Sequence, residues 1–185
     1  MTSSSNPTAR KVRVALGAVA VTALGLSLTT GISAEAPPYN TDFSIAEVMD
    51  AVVMREADVI WGAVQYSSSE EGYKTIGPET EDDWTELRRA AVSLAEVTNN
   101  LMIPGRHANK PGIEAGEGEL SPAEIDALIA KQRGSWIGFA QALRAASMDA
   151  LAAIDTRDLD KILDVGGTID EVCESCHVVF WYPNQ

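Results

Sequence analysis

Leu159-Asp-Lys-Ile-Leu-Asp-Val-Gly-Gly-Thr-Ile-Asp-Glu-Val-Cys173-Glu-Ser-Cys176-His177-Val-Val-Phe180-Trp181-Tyr-Pro183 is the stretch on which the fold turns. Leu159, Ile162, Leu163, Ile169, Val172, Cys173, Cys176 and Phe180 recur at spacings of three and four, the mark of one apolar helix face. Pro183 stops the helix, and the short turn Asp155-Thr156-Arg157 precedes it. A chain that ends on such a helix needs other helices to cover its apolar stripe.

Upstream, three more helices are expected. Ser44 with Glu47 forms a capping box. Behind it Ile45, Val53, Ile60 and Ala63 fall on one arc centred on Met49, giving a helix over about 45–65. Residues 67–79, rich in serine with two glycines and a proline, read as a loop ending at Thr80. Glu81, Asp82 and Asp83 suit the positive end of the next helix dipole, and Trp84, Leu87, Ala91, Leu94, Ala95, Thr98, Leu101 and Met102 give its apolar face up to Pro104-Gly105. The segment 104–120 holds four glycines and two prolines and is expected to cross the end of the structure. Ser121-Pro122 with Glu124 then starts a third helix through Leu128, Trp136, Phe139, Leu143 and Leu151 to about Ile154. No run alternates with period two for long enough to make a strand. The expected fold class is all-α, a four-helix bundle.

Cys173-Glu-Ser-Cys176-His177 is C-x-x-C-H, the attachment sequence for c-type haem. On a helix, at about 100° per residue, Cys176 lies about 60° to one side of Cys173 and His177 about 40° to the other, so two thiols and an imidazole meet one porphyrin. Three other readings compete. A thioredoxin-like pair wants C-x-x-C after a strand at the opening of a helix, in a βαβ setting. A structural zinc site needs two more ligands, and His107 is the only other histidine. A disulfide is poorly served by Cα atoms three apart in a regular helix.

Together with Trp84 opening the second helix, Phe139 in the third and Asp158-Leu-Asp-Lys161 at the start of the fourth, a C-x-x-C-H close to the C-terminus makes residues 42–185 resemble the class II cytochromes c. These are the cytochrome c prime family and its low-spin relatives. The resemblance implies an antiparallel four-helix bundle, one covalent haem c on Cys173 and Cys176, and His177 as the proximal iron ligand. In the family's electron-transfer members a methionine from the first helix takes the far side of the iron, whereas the gas-binding members leave that side vacant. Met49, at the centre of the first helix's apolar arc, is the expected ligand, against the plain alternative of core filler. Met54, five residues on and about 140° away in an α-helix, is expected to face out or towards a neighbour.

Glu56 lies about 20° from the centre of the same arc. It is expected at a rim position in water, the alternative being contact with a distal water or ligand. His107, with Arg106 and Lys110 in a chain otherwise poor in basic groups, reads as a solvated loop residue. The alternative is a patch that meets a haem propionate or a partner, with Arg106 best suited to a carboxylate, or a sixth ligand from His107 itself. Two departures from the family pattern stand out. No basic residue follows His177 closely, and Asp170 stands where a glycine often precedes the first cysteine. The apolar tail Val178-Val-Phe-Trp-Tyr182 suggests a dry haem, and so a raised potential.

Composition bounds the rest. Arg10, Lys11 and Arg13 followed by an uncharged stretch from Val14 to Ala34 form an export-signal layout, with Ser33-Ala34 offering a cleavage point before Glu35. Residues 1–34 are therefore expected to be a signal peptide or an uncleaved membrane anchor, and 35–185 the cytochrome domain. That places the domain in the periplasm, soluble or tethered to the outer face of the inner membrane. Of 14 basic residues three lie in the first 34, which leaves 11 against 27 acids, a net −16, for the remainder. Such a surface has no charge with which to hold nucleic acid, and a membrane role depends on the uncleaved segment alone. The expected function is a monohaem electron carrier, not an enzyme, whose redox partners carry basic docking patches. The alternatives are a pentacoordinate protein binding nitric oxide or carbon monoxide, and a haem subunit of a larger respiratory assembly. The resemblance leaves a homodimer open.

Overall fold

The computed structural model describes residues 39–69 and 72–183, all within the compact unit Pro37–Gln185. The expected export segment, 1–34, lies outside the described residues. The described chain is mostly helical with a small two-stranded sheet. Among the described residues no helix is long and apolar enough to cross a membrane.

The first helical stretch has three parts: α1 (Ile45–Val48), a π-helical segment (Met49–Met54) and α2 (Arg55–Gly62). Its start is the capping box read in the sequence. Ser44 Oγ accepts from Glu47 N at 3.2 Å, and Ser44 N donates to the Glu47 carboxylate at 3.0 Å. The next free amides are met from the long loop, where Ile45 N donates to His107 O at 2.8 Å and Ala46 N to Ala108 O at 3.0 Å. The helix ends at Gly62 rather than 65, because a hairpin follows: β1 (Gln65–Ser69) pairs antiparallel with β2 (Gly72–Ile76), Gln65 opposite Ile76 and Ser69 opposite Gly72. The all-α expectation and the loop expected over 67–79 are corrected by this hairpin. Tyr66 and Tyr73 are exposed, so no face is buried and the alternation that marks a half-buried strand is missing.

Next come α3 (Glu81–Leu101), α4 (Pro122–Lys131), α5 (Arg133–Asp155) and α6 (Leu159–Phe180). Thr80 and Ser121 both cap through reciprocal bonds, with Asp83 and Glu124. The single third helix expected over 122–154 is two helices. Gln132 leaves the helical region (φ −116°, ψ 39°) with no proline or glycine at that residue to announce it. The break has a use. Just beyond it Arg133 donates to Met102 O and Trp136 Nε1 to Leu101 O at 2.7 Å, so the first turn of α5 satisfies carbonyls left open at the C-terminus of α3.

α3 packs on α5, α5 on α6, and α2 on both α3 and α6. Ala90 and Ala91 of α3 and Ala146, Ala150 and Ala153 of α5 are buried, and small side chains let these helices lie close. Between α5 and α6, Arg157 adopts φ 55° and its guanidinium sits 5.2 Å from the Trp84 ring centroid while pairing with Glu81 at 2.6 Å. Within α6 the glycine at 166 has a reason. Trp61 Nε1 donates to Gly166 O at 2.9 Å, and a Cβ at Gly166 would stand 3.3 Å from the indole.

The carboxyls of Glu47, Asp83 and Glu124 are held below their ordinary range, for Glu47 by Lys110 first and for the other two by their capping partners, Thr80 and Ser121. A group depressed in the folded state gives stability that is complete above its unfolded pKa and is lost as pH falls through the folded one. The thermal midpoint should therefore be level near neutrality and fall as pH drops through the ordinary carboxylate range, about 4 and below. The triple variant Glu47→Gln, Asp83→Asn, Glu124→Gln should show a shallower acid fall in a calorimetric pH series. An unchanged slope would remove these caps as its cause.

Candidate functional site

The C-terminal half of α6 sets Cys173, Cys176 and His177 along a cavity of about 530 Å³. The first helical stretch lines it through Met49, Val53, Met54 and Ala57, and α5 supplies Trp136, Phe139, Ala140 and Leu143. Cys173, Cys176 and His177 are all half-buried. Phe180, fully buried, packs edge-on to Trp136 (centroids 5.2 Å apart) and Phe139 (6.2 Å), which fixes the last turn of α6 against α5. Trp181 and Tyr182 follow beside the imidazole, with ring centroids 6.3 and 6.0 Å from His177. The long loop closes this end, since Leu120 N donates to Trp181 O at 2.8 Å and Glu119 thereby joins the lining.

Burial decides the protonation of the three groups. It pushes the Cys173 thiol up to about 11, with Asp170 adding to the effect, and the Cys176 thiol up to about 12, with Cys173 adding. Burial lowers His177, against a smaller opposing pull from Glu174. At neutral pH the site therefore offers two neutral thiols and a neutral imidazole with a free lone pair. Tyr182 donates its hydroxyl to Glu174 at 2.7 Å, which holds the phenol proton up to about pH 12. The charged groups along the cavity are Asp50, Glu119, Asp170 and Glu174, and no Lys or Arg is among the described lining residues.

This geometry bears on the competing readings of C-x-x-C-H. The pair lies deep within α6, not at the opening of a helix that follows a strand. Both cysteines are free thiols. Among the described residues no group of three or more His, Cys, Asp or Glu is clustered to hold a metal ion, and His107 is spent elsewhere. Its ring, largely in water, pairs through Nδ1 with Asp126 at 2.8 Å. Arg106 does not point to a docking patch, because its guanidinium donates to the carbonyls of Phe43, Asn40 (3.3 Å) and Asn100 (3.0 Å). Lys110 pairs with Glu47. The basic loop thus braces the entry to α1.

Met49 is half-buried against the core and lines the cavity; Met54 is 49% exposed, as expected of a side chain that faces out, and lines the cavity too. The cavity takes in a wide arc of the first helical stretch, from Met49 through Val53 and Ala57 to Met54. The segment Met49–Met54 is wound as a π-helix, with more residues in each turn than an α-helix, and nothing in its sequence signals that winding. The expectation for Glu56 is corrected. Its side chain is only 12% exposed, does not line the cavity, and has Arg55 as its partner at 3.5 Å. Asp50 and Glu119 were not legible as lining residues: Asp50 is an exposed acid beside Met49, and Glu119 is placed by a loop–tail hydrogen bond.

No family model, no curated protein and no solved structure matches the chain. The site is read from its own chemistry. Removing the Phe180 ring should leave a void between α5 and α6: Phe180→Ala is expected to cost about 3–5 kcal/mol of stability by urea unfolding. A loss below about 1 kcal/mol would mean that the α6 terminus is not anchored by this ring.

Proposed function

We propose that the chain is a monohaem c-type cytochrome of the class II type, an antiparallel four-helix bundle that carries electrons outside the cytoplasm and performs no substrate chemistry. One observation carries the reading: the two thiols and the imidazole of C-x-x-C-H line one cavity together with the thioether of Met49. The donor set suits haem c. The cavity volume is in the ordinary range for cofactor sites, and its walls are mostly apolar and aromatic.

Cys173 and Cys176 would hold the porphyrin as thioethers, each S–H adding across a vinyl double bond so that sulfur takes one carbon and the proton the other. His177 would give its lone pair to the iron as proximal ligand, and Met49 would supply the sixth. Bound haem supplies a one-electron ferric/ferrous couple. The chain's part is to exclude water, with Trp136, Phe139 and Trp181, and to fix both axial donors on packed helices. The described lining offers no Lys or Arg to pair with haem propionates. Asp50, Glu119, Asp170 and Glu174 would favour the ferric state and oppose the rise in potential that apolar burial would give.

The reading implies redox partners with basic docking patches, whose association weakens as salt rises, because the full chain has a formal charge of −13. It is supported by the export layout of residues 1–34, which would place the domain in the periplasm. The test is the visible spectrum of the protein matured with haem-attaching machinery. A low-spin spectrum, ferric and ferrous, that carbon monoxide leaves unchanged is expected. A high-spin ferrous form that binds carbon monoxide at once would put the pentacoordinate gas-binding reading in its place.

A further inference from the structure

Met49 and Met54 differ in more than position. Met49 is half-buried and packs against the core, whereas Met54 is 49% exposed and stands outside the packed core cluster. Both line the cavity that holds Cys173, Cys176 and His177. Met49 and Met54 stand at the two ends of the π-helical segment, and together they give one cavity two thioethers from consecutive turns. Long π segments are uncommon and gather at functional sites. A thioether is neutral, polarisable and carried on three rotatable bonds, so a methionine free of core contacts can swing without disturbing the packing.

We propose that Met54, which lines the same cavity, is a second thioether donor for the distal iron position, able to replace Met49. The inference rests on the haem reading above and extends it. Met49 is the donor held ready by packing. Met54 reaches the same space from a more exposed place, and must give up contact with water to do so. The only sulfur or nitrogen side chains that the first helical stretch brings to the cavity, apart from the indole of Trp61, are these two thioethers.

The experiment compares Met49→Leu with the double variant Met49→Leu, Met54→Leu, both volume-conserving swaps that cores tolerate best. Each is matured with haem and read by its low-spin spectrum, the long-wavelength thioether–ferric band and carbon monoxide binding, with circular dichroism to report folding. Met49→Leu is expected to keep the low-spin spectrum and a shifted thioether band, and the double variant to lose both and bind carbon monoxide. A Met49→Leu protein already high-spin and open to carbon monoxide overturns the proposal and leaves the haem reading standing. A double variant that stays low-spin overturns it as well, because the ligand is then neither methionine. An unsubstituted protein that carries no covalent haem overturns the haem reading and this proposal with it.

Discussion

The indole of Trp136 is the contact on which the rest depends. It is 2% exposed, belongs to α5, donates to the carbonyl of Leu101 at the end of α3, and receives the edge of Phe180 from the end of α6. Three helices are therefore tied at one buried ring that also forms part of the cavity wall. The hydrogen bond matters less for its net gain, about 1 kcal/mol, than for the penalty of leaving a covered carbonyl unmet. The break at Gln132 follows from the same constraint. A helix begun afresh at Arg133 delivers both Arg133 and Trp136 to the carbonyls of α3. With α6 anchored through Phe180, the preceding turn cannot turn C-x-x-C-H away from the cavity without losing that contact.

The first helical stretch is held differently. The carbonyls of His107 and Ala108 close the first amides of α1, Asp126 grips that loop through His107 and the Ala108 amide, and Arg106 binds the chain entering the helix. Arg106 and Lys110, two of the basic residues of an acidic chain, are spent on this brace. The described lining of the cavity carries carboxylates and no Lys or Arg. Between the brace and α2 lies the π-helical segment, which carries Met49 and Met54.

Much of this was legible in the sequence. Ser44 with Glu47, Ser121 with Glu124, and Asp158 mark helix starts because a side-chain oxygen three residues before an open amide has little else to do. The apolar spacing of α3 and α6 survives because those helices are regular and buried on one side. The parts that escaped are those where local pattern and tertiary contact part company. Gln132 breaks a helix that its own residue type would continue. Tyr66, Ser68, Tyr73 and Thr75 pair in a hairpin with no buried face to leave a pattern. The π winding changes the angle between residues and leaves their identities as they were, so nothing in the sequence announces it. C-x-x-C-H was plain, but its sharing of a cavity with two thioethers was half hidden.

The central claim is that Cys173 and Cys176 are the anchors of a covalent haem, and the intact mass of the protein exported beside haem-attachment machinery tests it most directly. The account predicts the mass of the chain plus one haem, retained after denaturation in acid. The mass of the bare chain, or of that chain short of two hydrogens because the two thiols have closed on each other, would contradict it.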